Sequence, residues 1–244
     1  MANKRMLCVF AHPDDESYGP GGTIARYALE GVDVFLLMFT AGEAGSIGIS
    51  KTLPRDELGR RRRLELAAAC AALGVREHRI LGAPDGGVAT IDRAWAVAEI
   101  VNDIRRYRPH VAMTFHRGGV SGHPDHIAVT KYLDEAIAVS EKDGPQVMYE
   151  WGIPRDKAPL YERPNLVPLE NHEIAAVIAI SDEAIDHKVA AIRAHQTQVE
   201  FFQSLEQKFD YRDMARHESF ARGRSRIAAA ATPVTDLFAG IEAD

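Results

Sequence analysis

The feature that most constrains the fold of this chain is the alternation of short apolar runs with longer amphipathic segments over its first two thirds. Short apolar runs bounded by glycine, proline or charged residues predict buried strands, and apolar residues repeating every three to four positions predict helices. Strands are predicted over residues 6–11, 32–40, 78–81 and 111–115, and helices over residues 23–30, 56–73, 91–107 and 124–140. Because strands joined by helices pair in parallel, we expect an α/β fold with a mostly parallel sheet and helices on both faces.

The last third of the chain, from about residue 145 to residue 244, has a less regular pattern. It contains predicted strands over residues 146–151 and 175–180, and one long predicted helix over residues 181–202 with Ser181 as its N-cap. The prolines between residues 154 and 168 predict a loop. Since no internal repeat or low-complexity linker separates the two parts, we expect residues 1–244 to form a single domain.

Charge and hydropathy argue against two classes of partner. The formal net charge is −6 at pH 7, and the four arginines at residues 60–63, the only basic run, fit an exposed helix face. A nucleic-acid partner is therefore not expected. No apolar run reaches membrane-spanning length, and the first one is too short for a secretory signal, so we expect a cytoplasmic protein without a membrane partner.

Two polar motifs follow two of the predicted strands. The first motif, residues 12–16, reads HPDDE and follows the strand at 6–11; the second motif, residues 122–126, reads GHPDH and follows the strand at 111–115. Open α/β sheets bind ligands at the carboxyl ends of their strands, where the strand order reverses. If the two strands are neighbours at that point, the two motifs face each other across one crevice.

The first motif raises an electrostatic problem, because it holds three carboxylates in a row at the end of a buried strand. A divalent cation would stabilise them. His12 and Asp15, three residues apart, can converge with His126 from the second motif. Two histidines and a carboxylate with a position left open for water form a catalytic zinc site, although Fe²⁺ or another divalent ion also accepts this set.

The remaining polar residues of the motifs fit roles in catalysis. Asp14 lies beside the expected metal and can act as general base. His123 can stabilise an oxyanion or protonate a leaving amine, and Asp125 can orient a histidine. Two other interpretations stay open: Asp14 or Asp15 as the N-cap of the next helix, and His123 as the start of a helix.

The motifs "AHPDDE" and "GHPDH" resemble those of the PIG-L/LmbE-like de-N-acetylases, zinc enzymes with a Rossmann-like fold that remove acetyl groups from N-acetylglucosaminyl compounds. The resemblance runs from the N-terminus to about residue 126 and includes "GPGGTIA", "TAGE" and "LGAPDGG". Further along, "KVAAIRAHQTQ" at residues 188–198 looks like a helix of this family. Some members carry a tyrosine just before the second motif, where this chain has Ser121, which puts oxyanion stabilisation by that route in doubt.

The resemblance implies a role for each matching residue. It implies zinc on His12, Asp15 and His126. It implies Asp14 as general base and His123 as the oxyanion or acid partner supported by Asp125. It also implies three substrate-binding residues, namely Arg62 and Asp85 on sugar hydroxyls and Glu43 at the pocket. From the residues alone, Arg62 could equally be an exposed helix arginine and Asp85 a turn residue.

The predicted function is therefore zinc-dependent removal of the acetyl group from an N-acetylglucosamine derivative, by attack of a zinc-activated water on the amide. Two alternatives stay open: an amidase acting on a larger thiol-conjugate amide, and a non-catalytic sugar-binding module. The expected partner is a small N-acetylated sugar. Because the family often forms oligomers, including hexamers, a homo-oligomer is also expected.

Overall fold

A computed structural model describes residues 4–45 and 53–242 of the chain. The second half of the predicted glycine-rich loop, residues 46–50, lies outside the described residues. Within them, seven strands form one sheet. The strands are β1 (Arg5–Phe10), β2 (Asp33–Met38), β3 (Glu77–Ile80), β4 (Val111–Phe115), β5 (Val147–Gly152), β6 (Ile174–Ala179) and β7 (His217–Ser225).

The order of strands in the sheet is β3-β2-β1-β4-β5-β7-β6. The first five strands pair in parallel, whereas β7 pairs antiparallel with both β5 and β6. The predicted α/β fold with a mostly parallel sheet is confirmed. Strands β1 and β4 are direct neighbours, with Met6 opposite Val111 and Cys8 opposite Met113. The strand order reverses between them, so the two motifs lie at the switch point of the sheet.

Helices cover the sheet in two groups. The helices of the described residues are α1 (Asp15–Tyr18), α2 (Gly21–Leu29), α3 (Arg55–Leu73), α4 (Arg93–Tyr107), α5 (Gly119–Gly122), α6 (Pro124–Ser140), α7 (Asp182–Ala194), α8 (Val199–Lys208) and α9 (Tyr211–Met214). Helices α2 and α3 both pack against α7, while α4 packs against α6. None of the helices in the described part of the chain is long and apolar enough to cross a membrane.

The single long helix predicted over residues 181–202 is wrong, because the structure has two helices, α7 and α8, with a break at residues 195–198. Ser181 does cap α7, accepting a bond from the Ala184 amide. In the break, the amide and hydroxyl of Thr197 both donate to the buried Glu65 carboxylate, at 3.0 and 2.6 Å. These bonds replace the intrahelical ones. Apolar residues continue on the same period through the break, so periodicity alone did not reveal it.

Strand β7 was absent from the predicted elements, although it lies inside the sheet. Its sequence, HESFARGRS, has only Phe220 and Ala221 as apolar residues, and they are adjacent and do not alternate with polar ones. The buried Glu218 also departs from the pattern of a half-buried strand, in which apolar residues face the core. Its charge is tolerated because Lys188 lies 2.6 Å from the Glu218 carboxylate.

The Lys188–Glu218 ion pair fixes the chain directly after the first motif. Glu218 accepts the main-chain N–H groups of Gly22 and Thr23, at 3.0 and 2.8 Å, in the first turn of α2. Lys188, on α7, also donates to the Gly19 carbonyl at 2.7 Å. A strand and a helix from the last third of the chain therefore hold the turn that joins α1 to α2.

Replacing Lys188 with methionine should strongly destabilise the protein. The change leaves the Glu218 carboxylate buried without its cation, which costs about 3 kcal/mol or more of the free energy of unfolding. Urea unfolding measures this cost, with Lys208→Met as the matched control. Lys208 pairs with Glu162 at an exposed site, so its loss should cost less than about 0.5 kcal/mol. Equal effects of the two substitutions would contradict the role given to the buried pair.

Candidate active site

The first motif folds into a tight turn immediately after β1. The main-chain N–H of His12 donates to the Asp15 carboxylate at 2.7 Å, and the Asp15 N–H donates back to the His12 carbonyl at 3.2 Å. The short helix α1 then begins at Asp15. This turn holds the side chains of His12 and Asp15 on the same side of the chain, as their spacing predicted.

Three ligand atoms converge between the two motifs. The Nδ1 atom of His12 lies 3.2 Å from Nε2 of His126 and 3.5 Å from the Asp15 carboxylate. The other oxygen of this carboxylate, Oδ1, lies 3.3 Å from Nε2 of His126. A tetrahedral zinc site with metal–ligand bonds of about 2.0–2.1 Å needs ligand atoms about 3.3 Å apart. The spacing of these three side chains therefore fits one divalent ion.

The hydrogen bonds on the far side of each ring assign its proton. Nε2 of His12 lies 3.1 Å from Asp85 and 3.2 Å from Asp125, so it carries a hydrogen that faces two carboxylates. Nδ1 of His126 lies 3.1 Å from the Gly119 carbonyl, which is only an acceptor. The two inward nitrogens, in neutral rings, therefore carry lone pairs. Two lone pairs and a carboxylate that point at one another need a cation between them.

A proton is the alternative cation at this place. Burial disfavours the charged form of His12, but the carboxylates of Asp125, Asp15 and Asp85 outweigh it and raise the pKa of the ring to about 12. A metal ion must displace such a proton to bind, since histidine coordinates in its neutral form. The side chains around His12 therefore stabilise a positive charge at this place.

Asp125 is fully buried and serves the ring of His12. Its carboxylate accepts the main-chain N–H groups of Gly86 and Val88, at 2.8 and 3.1 Å, in addition to Nε2 of His12. A second possible metal group joins His12, His123 and Asp125. The three bonds of the Asp125 carboxylate leave it little capacity to coordinate an ion, so the group of His12, Asp15 and His126 is the better metal site.

Asp14 adopts a backbone conformation that is rare for any residue but glycine, with φ of 122°. Such a conformation costs on the order of 1–3 kcal/mol and persists only where neighbouring contacts enforce it. Its carboxylate lies 3.1 Å from the Arg62 guanidinium and retains 23% side-chain exposure. Although Asp14 occupies the N-cap position of α1, its side chain makes no capping bond, which removes that alternative interpretation.

The environment of Asp14 suits a base. Partial burial raises the pKa of its carboxyl to about 6, although the Arg62 cation acts in the opposite direction. Burial also opposes ionisation of Asp15, but His126 and His12 outweigh it and hold the pKa of Asp15 well below its usual range. The two neighbouring carboxylates therefore differ. Asp15 stays ionised beside the two histidines, whereas Asp14 can exchange a proton near neutral pH.

Glu16, the third carboxylate, is completely buried beneath this turn. One of its oxygens accepts the Asp14 main-chain N–H at 3.0 Å. The other accepts the Ser17 hydroxyl at 2.5 Å and Nε2 of His195 at 2.6 Å. Although burial disfavours its charge, His195 holds the pKa of Glu16 below its usual range. Sequence reasoning gave His195 no role, because it lies 179 positions from Glu16.

His123 lies beside the metal group at the start of α6. Its ring centroid is 4.8 Å from those of both His12 and His126. Nδ1 accepts the Asp125 N–H at 3.2 Å, so His123 does begin the helix, and the other ring nitrogen carries the hydrogen of the neutral form. Burial and the neighbouring rings of His126 and His12 lower the pKa of His123. A neutral ring with a free N–H can donate to an oxyanion.

The three residues assigned to substrate make contacts within the protein. Arg62 is buried, unlike the exposed arginines on either side of it, and donates to the carbonyls of Gly42 (2.9 Å) and Pro13. Asp85, next to a turn, bonds His12 with one oxygen and the Ala44 N–H with the other, at 2.7 Å. Glu43 accepts the Asp85 N–H at 3.0 Å. These bonds stabilise the walls behind the site.

A cavity of about 390 Å³ opens beside the metal group, and its lining includes Asp14, Asp15 and His126. This volume suits a small-molecule ligand. Ser121 lies on its wall. Five aromatic side chains also line it: Tyr18, Phe115, Trp151, Tyr161 and Tyr211. Tyr161 in the proline-rich segment and Tyr211 in the short helix α9 were not predicted, because neither segment carries a motif that indicates where it packs.

Relatives of this chain carry a common name. Over 233 residues it is 36% identical to 1D-myo-inositol 2-acetamido-2-deoxy-α-D-glucopyranoside deacetylase of Acidothermus cellulolyticus, covering 80% of each chain. It is 48% identical over 149 residues to the protein of that name from Thermobispora bispora, a match that covers 52% of this chain. That second match spans about half the length of the relative, 49%.

The fold also occurs in a protein of different activity. The structure of GalB, the 4-carboxy-2-hydroxymuconate hydratase of Pseudomonas putida KT2440, has a TM-score of 0.72 and 18% identity over 94% of this chain and all of that one. This likeness concerns the fold alone, and a fold does not decide function. A family model described as PIG-L, GlcNAc-PI de-N-acetylase, matches residues 7–137, which contain both motifs and more than half of the chain. The chain therefore belongs to the PIG-L family of de-N-acetylases.

Proposed function

We propose that this protein is a zinc-dependent de-N-acetylase of an N-acetylglucosamine derivative. The observation that carries this proposal is the convergence of His12, Asp15 and His126 at one end of a sugar-sized cavity, with the Asp14 carboxylate beside them. The names of the relatives favour 1D-myo-inositol 2-acetamido-2-deoxy-α-D-glucopyranoside as the first substrate to test.

The metal ligands and the base have separate functions in the proposed reaction. His12, Asp15 and His126 would hold the ion, which would supply a Lewis acid able to polarise the acetamide carbonyl and lower the pKa of water. Asp14 accepts a proton from the attacking water, for which its pKa of about 6 is suited. The C–N bond then breaks, Asp14 returns the proton to the leaving amine, and acetate and the free amine are released.

His123 and Asp125 act beside these groups. The neutral His123 ring donates its free N–H to the oxygen that becomes negative when water adds to the carbonyl carbon. Asp125 keeps a hydrogen on Nε2 of His12 and so leaves Nδ1 free to coordinate. With Ser121 in the place of a tyrosine, His123 is the ring that this chain offers for the oxyanion.

Replacing Asp14 with asparagine should abolish most activity without removing the metal. The change removes the base, so kcat should fall by about 10²–10⁴-fold, while zinc content stays the same because Asp14 is not among the three converging ligands. Release of acetate and free amine from the inositol substrate measures kcat, and elemental analysis measures zinc. The exposed Asp56 offers the control Asp56→Asn. Full activity in Asp14→Asn would rule out this residue as the base.

Replacing Asp125 with asparagine should weaken zinc binding. An amide cannot accept from His12, Gly86 and Val88 with both terminal atoms, so the tautomer and orientation of His12 are no longer held. The expected loss of zinc affinity is about 10–100-fold, measured by competition with a chelator at constant pH. The exposed Asp143 provides the control Asp143→Asn. Unchanged affinity in Asp125→Asn would contradict the assigned ligand geometry.

A substrate panel separates the proposed reaction from its two alternatives. Zinc-loaded protein should release acetate from the N-acetylglucosaminyl inositol. Cleavage of a thiol-conjugate amide, with no release of acetate, would favour the amidase. Saturable binding of the sugar without any hydrolysis would favour the sugar-binding module. Metal-stripped protein should be inactive and should regain activity with zinc.

A further inference from the structure

We infer that His195 is a positioning residue for the base, acting through Glu16 to hold Asp14 in its rare backbone conformation. This inference rests on the proposed function, since it takes Asp14 to be the base. His195 is not among the residues that line the cavity or among those that converge at the metal group. It acts only through the Glu16 carboxylate.

The first step is the conformation of Asp14. Its φ of 122° lies in a region that residues other than glycine rarely adopt, so surrounding contacts must enforce it. The Asp14 carbonyl accepts the N–H groups of Ser17 and Tyr18, at 3.0 and 2.9 Å, as the first turn of α1 forms. Two side-chain contacts add to these bonds: the Asp14 N–H donates to Glu16 at 3.0 Å, and the Asp14 carboxylate pairs with Arg62 at 3.1 Å. Of these two, the Glu16 contact acts on the main chain.

The second step is the position of Glu16. Its carboxylate is completely buried, so its orientation depends on the donors around it. Ser17 is its immediate neighbour in the chain and moves with the turn. His195, with a ring that is also completely buried and Nε2 at 2.6 Å, is the donor that comes from a different part of the fold. His195 therefore fixes the carboxylate relative to the protein core.

The position of His195 depends on the contacts of the break between α7 and α8. His195 lies at this break, and the break is fixed by the two bonds from Thr197 to Glu65 on α3. The same helix α3 carries Arg62, one turn before Glu65. Helix α3 thus helps to position Asp14 in two ways. Arg62 contacts Asp14 directly, and Glu65 fixes the break in which His195 lies. The departure from a continuous helix is what brings this ring to Glu16.

Replacing His195 with leucine tests the inference, because leucine fills the site but cannot donate to Glu16. With zinc-loaded protein and the N-acetylglucosaminyl inositol, kcat should fall about 10-fold or more, while KM and zinc content should stay within about threefold of the unsubstituted protein. The variant His195→Gln places an amide N–H near the position of Nε2, so it should restore kcat to within about threefold.

The matched control is His187→Leu. His187 lies on α7, the helix that ends just before His195, and its ring bonds the Ala72 carbonyl on α3. Both leucine variants should lower the midpoint of thermal unfolding, but only His195→Leu should lower kcat. Equal kcat in the two leucine variants, or a His195→Gln variant as slow as His195→Leu, would overturn the inference.

A crystal structure of the zinc-loaded variant separates this inference from the proposed function. In His195→Leu, the Asp14 carboxylate and the φ of Asp14 should differ from those of the unsubstituted protein, while His12, Asp15 and His126 keep their places. If the unsubstituted protein proves inactive but the displacement is seen, the proposed function fails and the positioning contact stands. If His195→Leu does not fold, the same comparison is made with His195→Gln and Glu16→Gln, and an unmoved Asp14 in Glu16→Gln would overturn the inference.

Discussion

Three consecutive carboxylates just after strand β1 are the constraint on which the rest of this site depends. Two like charges 4 Å apart repel by about 4 kcal/mol at an effective dielectric constant of 20, so each carboxylate needs its own partner. Asp14 pairs with Arg62, Asp15 lies between His12 and His126, and Glu16 pairs with His195. Each carboxylate is thus stabilised by a different partner. Of the three, only Asp15 has surroundings that call for a metal ion.

These partners come from separate parts of the chain, and the topology of the sheet brings them together. The neighbouring positions of β1 and β4 place His126 opposite His12, and the packing of α3 against α7 brings Arg62 and the His195 break to the same turn. The loop after β2 must approach Arg62 closely: a Cβ at Gly42, which has φ of 70°, would lie 2.5 Å from the guanidinium carbon. Any larger residue at Gly42, the glycine of the "TAGE" stretch, would therefore clash with Arg62.

Much of the fold and the metal set could be predicted from the sequence, because both depend on local signals. Periodicity located the parallel strands, and residue type and spacing selected His12, Asp15 and His126, which the structure brings together. Contacts between distant residues could not be predicted in this way. In the sequence, Arg62 does not differ from the three arginines beside it. No local pattern near Thr197 indicates that Glu65 is its partner. For the same reason β7 was missed, since the burial of Glu218 depends on Lys188, 30 positions away.

His12, Asp15 and His126 are proposed to hold one metal ion beside Asp14. Diffraction data collected at the zinc absorption edge, from crystals of the zinc-loaded protein, test this proposal most directly. We expect one anomalous peak within about 2.0–2.2 Å of Nδ1 of His12, Nε2 of His126 and the Asp15 carboxylate, with Asp14 outside the coordination sphere. A peak bound instead by His123 and Asp125, or the absence of a peak between the two motifs, would contradict it.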